Sequence, residues 1–277
     1  MLTTDSIPLA ASRGRAWFEA LCGTTPASPT VPSILAGDAV IAGERVRFIS
    51  VVPNPSSRFP RARKGEVGVE EGWMIARHGR DVIAENSDTK RPIVAIVDLP
   101  GQAFGQREEM MGIFLSCAAA ADMYVAARLA GHPVVSLVVG QAVSGGFLAH
   151  GYQADRILAL DDPGVSIHAM GQKAAARITR HSLAEWRGLS ERILPMSYDI
   201  QACAKLGIVH ELIKVSSASE PAPADIKHVR AKLAAAIGAA REEIHRANET
   251  VTKPLKHRRA SFEVARRLAE QWDAPVA

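Results

Sequence analysis

Aromatic residues make up only 5% of this 277-residue chain: four Trp, three Tyr and seven Phe. Proteins that grip single-stranded nucleic acid stack bases on aromatic side chains set among cations. No such platform accompanies the basic segments here, so nucleic acid is not an expected partner. Cysteine is scarcer still. Cys22, Cys117 and Cys203 lie far apart and form no C-x-x-C pair, which excludes a disulfide framework and a zinc site. Buried thiols are their expected role, and no metal is expected. Long apolar runs are missing too. Asp122 and Arg128 interrupt the richest stretch, so no segment of about 18 apolar residues could span a membrane. The opening Met1-Leu-Thr-Thr-Asp5-Ser-Ile-Pro has neither the basic start nor the apolar centre of a secretory signal. A soluble, cytoplasmic enzyme subunit is the expectation.

What is present suffices for a sizeable core, since 47% of residues are hydrophobic. The pattern predicts one domain over residues 1–277: an N-terminal helix and loop (1–37), a core (38–215) and C-terminal helices (225–272). Within it, helix is expected over residues 12–22 and 69–84. A hairpin is expected from strands 39–42 and 44–52 around Gly43. Pro26, Pro29 and Pro32 mark residues 23–37 as a loop. Residues 53–65 read as a longer loop with four cations, Arg58, Arg61, Arg63 and Lys64. Ser, Pro and Ala make residues 216–224 a flexible piece before helices at 225–248 and 255–272.

The chemistry is concentrated in two turns. Residues 134–139 are short, β-branched and opened by Pro133, as a buried strand should be. Gly140 is expected to break that strand, and Gln141-Ala-Val-Ser144-Gly145-Gly146-Phe147 leads into a helix. Backbone N–H groups at a helix start lack intrahelical partners, and glycine lets a substrate oxygen approach them. Such a turn suits an oxyanion hole. Ser144, Gly145, Gly146 and Phe147 are therefore the candidate catalytic residues. A second strand, residues 92–98, ends in Leu99-Pro100-Gly101-Gln102-Ala-Phe-Gly105 and precedes a helical stretch over 110–129. A third strand is expected at 155–160.

Asp98-x-Pro-Gly101-x-x-x-Gly105 followed by Gly140-x-x-x-Ser144-Gly-Gly146, with alanine-rich Ser116–Asp122 between, resembles the carboxyltransferase branch of the crotonase-like superfamily. DLPGQAFGQREE, GQAVSGGFLAHGYQADRILAL, VSIHAMGQKAAARITR and MSYDIQACAKLGIVHELI together resemble the γ subunits of malonate decarboxylases, over about residues 15–272. The resemblance implies an α/β crotonase-like spiral of strand–strand–helix units with C-terminal helices. It implies pairing with a homologous β subunit, an oxyanion hole from each, and decarboxylation of malonyl-S-acyl carrier protein to the acetyl form and CO2. The chain itself would bind no cofactor, the substrate riding on the CoA-like prosthetic group of the acyl carrier protein. Gly101, Gln102, Gln141 and His168 are the implied substrate-binding residues. Bacterial carboxyltransferase α subunits usually carry S-P-E-G-A-A where this chain has Ile167-His168-Ala-Met-Gly171-Gln-Lys-Ala-Ala, which argues against a biotin-dependent acetyl-CoA carboxylase. A biotin-dependent carboxyltransferase or decarboxylase subunit is the alternative within the branch.

Other readings compete. Ala142-Val-Ser144-Gly-Gly146 also reads as A-x-S-x-G, a variant nucleophile elbow. Asp155, Asp161, Asp162, His168, His181 and His210 follow it, so a serine hydrolase with Ser144 as nucleophile needs testing. A scaffold subunit without chemistry is a third class. His150 is expected to pack rather than react, and His168 to be either structural or a hydrogen-bond donor. Glu108 and Glu109 read as helix-start carboxylates that offset the dipole. The formal charge is +4, with cations concentrated in residues 58–64 and 253–259. These segments read as solvated surface or as a dock for an acidic carrier protein.

Overall fold

The computed structural model describes residues 12–23, 30–85, 89–246 and 259–272. In chain order it forms α1 (Arg13–Cys22), β1 (Ile34–Ile41), β2 (Glu44–Val51), α2 (Val69–Ile83), β3 (Ile93–Leu99), α3 (Gln106–Met110), α4 (Ile113–Leu129) and β4 (Val134–Val143). There follow α5 (Ser144–Ala149), β5 (Arg156–Leu160), β6 (Ser166–His168), α6 (Gln172–Ile178), α7 (Leu183–Arg192), α8 (Ile200–Lys205), β7 (Glu211–Ile213), α9 (Pro223–Arg246) and α10 (Arg259–Trp272).

The strands build one sheet in the order β1-β2-β3-β4-β5-β7, with β6 pairing β4. β1 and β2 form the expected antiparallel hairpin, turned by Ala42 and Gly43 at φ 50° and 85°. Two left-handed residues give the turn type whose twist matches the strands it joins. Every other pairing is parallel. β3 and β4 are almost continuously buried, so both faces of the central sheet are covered. α1 with α9, and α2 with α4, supply that cover. Trp17, Phe18, Phe48 and Ile96 are among the side chains fully enclosed. No helix among the described residues is long and apolar enough to cross a membrane.

Several expectations need correction. β1 starts at Ile34, inside the expected 23–37 loop, whose residues 24–29 lie outside the described set. Gly140 does not end β4. The strand runs on to Val143 because residues 141–143 gain a second partner in β6. The helix expected over 110–129 is α4, which starts at Ile113; Met110 instead ends α3, and Gly112 turns left-handed at φ 78° between the two. Residues 216–224 are tied down: Trp17 Nε1 donates to Ala218 O at 2.8 Å, and Ser216 Oγ donates to Asp225 Oδ2 at 2.5 Å. Cys203 is buried, but Cys22 and Cys117 are only half-buried. Burial raises all three thiols, Cys22 to about 12.

α2 lies close to α4 because it offers glycine at the contact. A Cβ at Gly72 would stand 2.6 Å from Ser116 O, and one at Gly79 would stand 1.9 Å from Met123 Sδ. The first obstacle is backbone; the second is a flexible thioether. Alanine gains about 1 kcal/mol of helix propensity over glycine, while overpacking costs about 1–3 kcal/mol. Because the obstacle at Gly72 is backbone, Gly72→Ala falls at the upper end, a net loss of about 2 kcal/mol, and Gly79→Ala loses less, because Met123 can repack. Urea midpoints for the two variants check this; an unchanged Gly72→Ala midpoint would refute it.

Candidate active site

β3 and β4 end side by side, and both chemical turns spring from those ends. The first turn passes through Gly101 at φ 153°, a conformation that side chains rarely adopt. It is stitched to residue 67: Val67 N donates to Gly101 O at 3.1 Å and Ala103 N to Val67 O at 2.8 Å. The second turn leaves β4 at Val143 and opens α5 with Ser144 at φ 57°. The N–H groups of this first helical turn have no intrahelical acceptor.

The turns touch. A Cβ on Gly146 would lie 2.3 Å from Gly101 O, and one on Gly145 would lie 2.0 Å from Gln102 Oε1. The glycine pair was expected to leave room for substrate. For Gly146 the nearest neighbour is instead the first turn's own backbone. On its other side the second turn faces a cavity of about 620 Å³. Ser144, Gly145 and Phe147 line it, with Tyr152, His168 and Tyr198. Most of the remaining wall is aliphatic, including Leu148, Ile167 and Ile178.

Of the eight residues singled out from sequence, Ser144, Gly145, Phe147 and His168 meet at this cavity. Gly101, Gln102 and Gly146 form the seam between the turns. Gln141 lies apart with an exposed side chain, its N–H donating to Asp98 Oδ1 at 3.2 Å. His168 ends β6, in register with Val143, and stands edge-on to Tyr198 at 4.5 Å. Burial keeps its imidazole neutral by lowering its pKa. Tyr198 donates to Met170 O at 3.0 Å and accepts from Trp186 Nε1 at 3.3 Å. Tyr198, Met170 and α6, which packs on α7, lie in segments that carry the family resemblance, but no local pattern placed them beside the cavity.

His150 packs, as expected. Its Nε2 faces Ile96 O at 3.2 Å and so must donate, leaving Nδ1 to accept from Tyr124 Oη at 2.8 Å. Glu108 and Glu109 do stand in the first turn of α3. Arg58 and Arg61, expected as open cations, are ion-paired with Glu70 and Glu66. Residues 253–258 lie outside the described set.

The hydrolase triad is not assembled. Ser144 has the strained backbone of an elbow, yet the aspartates that follow are engaged elsewhere. Asp155 is held by Arg128, Asp161 by Gln201 and Asp162 by Arg13. His210 Nδ1 accepts from Ile157 N at 3.0 Å, and His181 stands beside Trp186. His168 Nδ1, shut off from solvent, has no carboxylate to orient it. Among the described residues no three His, Cys, Asp or Glu side chains gather in a way that could hold a metal ion.

The family model for the malonate decarboxylase gamma subunit matches residues 62–272. The chain belongs to that family. It is 44% identical to a chain of the Pseudomonas malonate decarboxylase hetero-tetramer in complex with coenzyme A, covering 95% of this chain and 100% of that one, with a TM-score of 0.87. For the Pseudomonas MdcD–MdcE hetero-dimer the figures are 43%, 95%, 100% and 0.85. The malonyl-S-ACP:biotin-protein carboxyltransferase of Malonomonas rubra is 34% identical over 200 residues, 70% of this chain and 64% of that protein. The chain thus spans just under two thirds of this curated relative. A transcarboxylase 12S structure at 22% identity and a TM-score of 0.62, over 87% of this chain and 43% of that one, shares the fold. The expected carboxyltransferase-type architecture is the one observed.

Burial lowers five imidazoles, those of His78, His132, His168, His210 and His150, the last to about 4. The unfolded chain takes up protons near pH 6.5 that the folded chain refuses, so stability falls as pH drops from there. Glu71, raised by burial, acts in the opposite direction. His150 alone should cost about 2–3 kcal/mol at pH 4.5. Unfolding free energies from pH 7 to 4.5 test this. His150→Gln should show a shallower slope than the unmodified chain, and an equal slope would remove His150 as the cause.

Proposed function

We propose that this chain is one half of a biotin-independent malonyl-thioester decarboxylase. With a homologous β-type partner it converts malonyl-S-acyl carrier protein into acetyl-S-acyl carrier protein and CO2. The reading is carried by the seam in which Gly101 and Gly146 meet backbone to backbone beside a largely aliphatic cavity. When the bond between the methylene carbon and the carboxylate breaks, its electrons move onto the thioester oxygen as an enolate. Fixed N–H donors stabilise that charge without transferring a proton, and losing one costs about 10²–10³ in rate. The aliphatic wall favours departure of neutral CO2 from a carboxylate held out of water. Ser144, Gly145, Gly146 and Phe147 supply the donor turn. Neutral His168 offers a hydrogen bond from the cavity wall, while Gly101 and Gln102 back the turn. Gln141 stands outside the cavity, on the exposed side of β4. The chain needs no metal or cofactor of its own, because the substrate arrives on the carrier's CoA-like arm.

The family membership supports this reading, as do the Pseudomonas relatives, which were crystallised as a hetero-dimer and as a hetero-tetramer with coenzyme A or malonate. Met110, Met111, Phe114 and Leu115 form an exposed apolar face across α3 and α4, with Met110 81% exposed. A patch of this kind marks a protein interface, and we assign it to the β-type partner. Phe114→Glu should abolish co-purification with that partner while leaving the circular dichroism of the isolated chain unchanged. Retained pairing would move the interface elsewhere.

Two variants in the reconstituted complex test the chemistry. Gly146→Ala should cut kcat by about 10² or more, since a methyl group must push the donor turn off Gly101. Ser144→Ala should stay within about threefold of the unmodified enzyme, since a backbone donor needs no hydroxyl. A dead Ser144→Ala beside a healthy Gly146→Ala would reverse the assignment and favour the hydrolase.

A further inference from the structure

Between Val97 and Leu99 the β3–β4 register slips. Val97 faces Val138 and Leu99 faces Ala142, so Asp98 stands opposite three residues of β4. A bulge frees backbone groups that the ladder would otherwise pair. Here side chains take them up. Gln141 N donates to Asp98 Oδ1 at 3.2 Å. Val139 O accepts from Arg13 Nη1 at 3.4 Å, and the same nitrogen donates to Asp162 Oδ1 at 2.9 Å. The second Asp98 oxygen, Oδ2, accepts from Gly14 N in the first turn of α1 at 3.2 Å. Gly140 completes the fit. A Cβ there would lie 2.0 Å from Asp98 Oδ1 and 2.6 Å from its Cγ, so the carboxylate fills the space a side chain would need.

Beyond the bulge only Gln141, Ala142 and Val143 remain before Ser144 turns into α5. Wherever the bulge aims those three residues, the turn follows. We propose that Asp98 is a positioning residue for the Ser144-Gly145-Gly146 turn, acting through Gln141 and Gly140 with α1 as its brace. The proposal rests on the reading of that turn as the donor of enolate-stabilising N–H groups. Asp98 does not line the cavity, and its effect is on where the N–H groups point. It links the two motifs: the aspartate that opens the first occupies the space left by the glycine that opens the second. An aspartate that merely anchored α1 would change stability and assembly but not the turnover of assembled enzyme.

The test uses the complex with its partner subunit, with kcat and KM for the malonyl-carrier substrate measured on material that co-purifies. Asp98→Ala should lower kcat by about thirtyfold or more, with KM within about threefold. Gly140→Ala, which displaces the carboxylate, should lower kcat by about tenfold or more. The double variant should fall no more than about twofold below the worse single, because both changes break one contact. Losses that multiply, or an Asp98→Ala enzyme with unchanged kcat, overturn the proposal. Should Asp98→Ala fail to assemble, Asp98→Asn and Gly140→Ala decide, and unchanged kcat in both overturns it. Gly146→Ala, run alongside, separates the two ideas. If it is inactive while Asp98→Ala keeps full kcat, only the positioning role falls. If both are fully active, the reading of the turn has failed and the positioning role falls with it.

Discussion

Between Gly101 and Gly146 there is space for a carbonyl oxygen and a hydrogen atom, and none for a methyl group. Much of the site's geometry depends on that approach. It lets two adjacent parallel strands end in turns that share a surface. At that seam the turns meet through backbone alone. Backbone donors set in this way are stiff, because each turn is fastened on its far side as well. Val67 pairs with the first turn through two hydrogen bonds, and the β6 ladder runs to the residue before the second. A preorganised donor is worth more than one that must reorient during reaction, and under the proposed reading the seam is what supplies that preorganisation.

The parts legible in sequence were those governed by local pattern. The hairpin at Ala42-Gly43, α1, α2 and the strands before each turn follow from periodicity and from glycine. Where a tertiary partner outweighed a local rule, the reading failed. Glycine at 140 looks like a strand end until β6 supplies a ladder for the residues after it. Gly112 looks tolerable inside a helix, yet it adopts the left-handed conformation and splits α3 from α4. Gly146 was understood as space for a ligand, when its tightest neighbour is another turn some forty residues away. No local signal could reveal this, because the neighbour is brought by strand pairing.

Polar bookkeeping explains why apparently loose segments are ordered. Residues 216–224 have the composition of a linker, but Ala218 O takes the indole N–H of buried Trp17, and the Asp225 carboxylate accepts from Ser216 N and Oγ. A buried indole must find an acceptor, and the segment that provides one is held in place. Arg13 extends the same network toward the catalytic end by reaching Ser219, Asp162 and the bulge carbonyl of Val139. One helical turn of α1 thus touches the C-terminal connection and the strand that carries the donor turn. The N-terminal helix thus contacts the bulge that leads to the Ser144 turn, although it contributes nothing to the cavity wall.

The segment where this chain departs from the usual carboxyltransferase α pattern begins at Ile167, and its position bears on chemistry. Ile167, His168, Ala169 and Met170 all line the cavity. The departure therefore falls on residues that line the cavity. Donors aimed at a thioester oxygen stabilise the same enolate whether CO2 is released or handed to a second acceptor, so the turns are compatible with both reactions. Discrimination has to come from the opposite wall, where an acceptor would sit. Here the lining is mostly apolar; beyond the turn its polar side chains are Tyr152, Thr179, Trp186, Ser197, Tyr198 and the neutral imidazole of His168, which stands edge-on to Tyr198. A wall of this composition offers few hydrogen bonds to a polar acceptor and does not compete with departure of an uncharged molecule. On the proposed reading, this is the physical ground for favouring release of CO2 over its transfer.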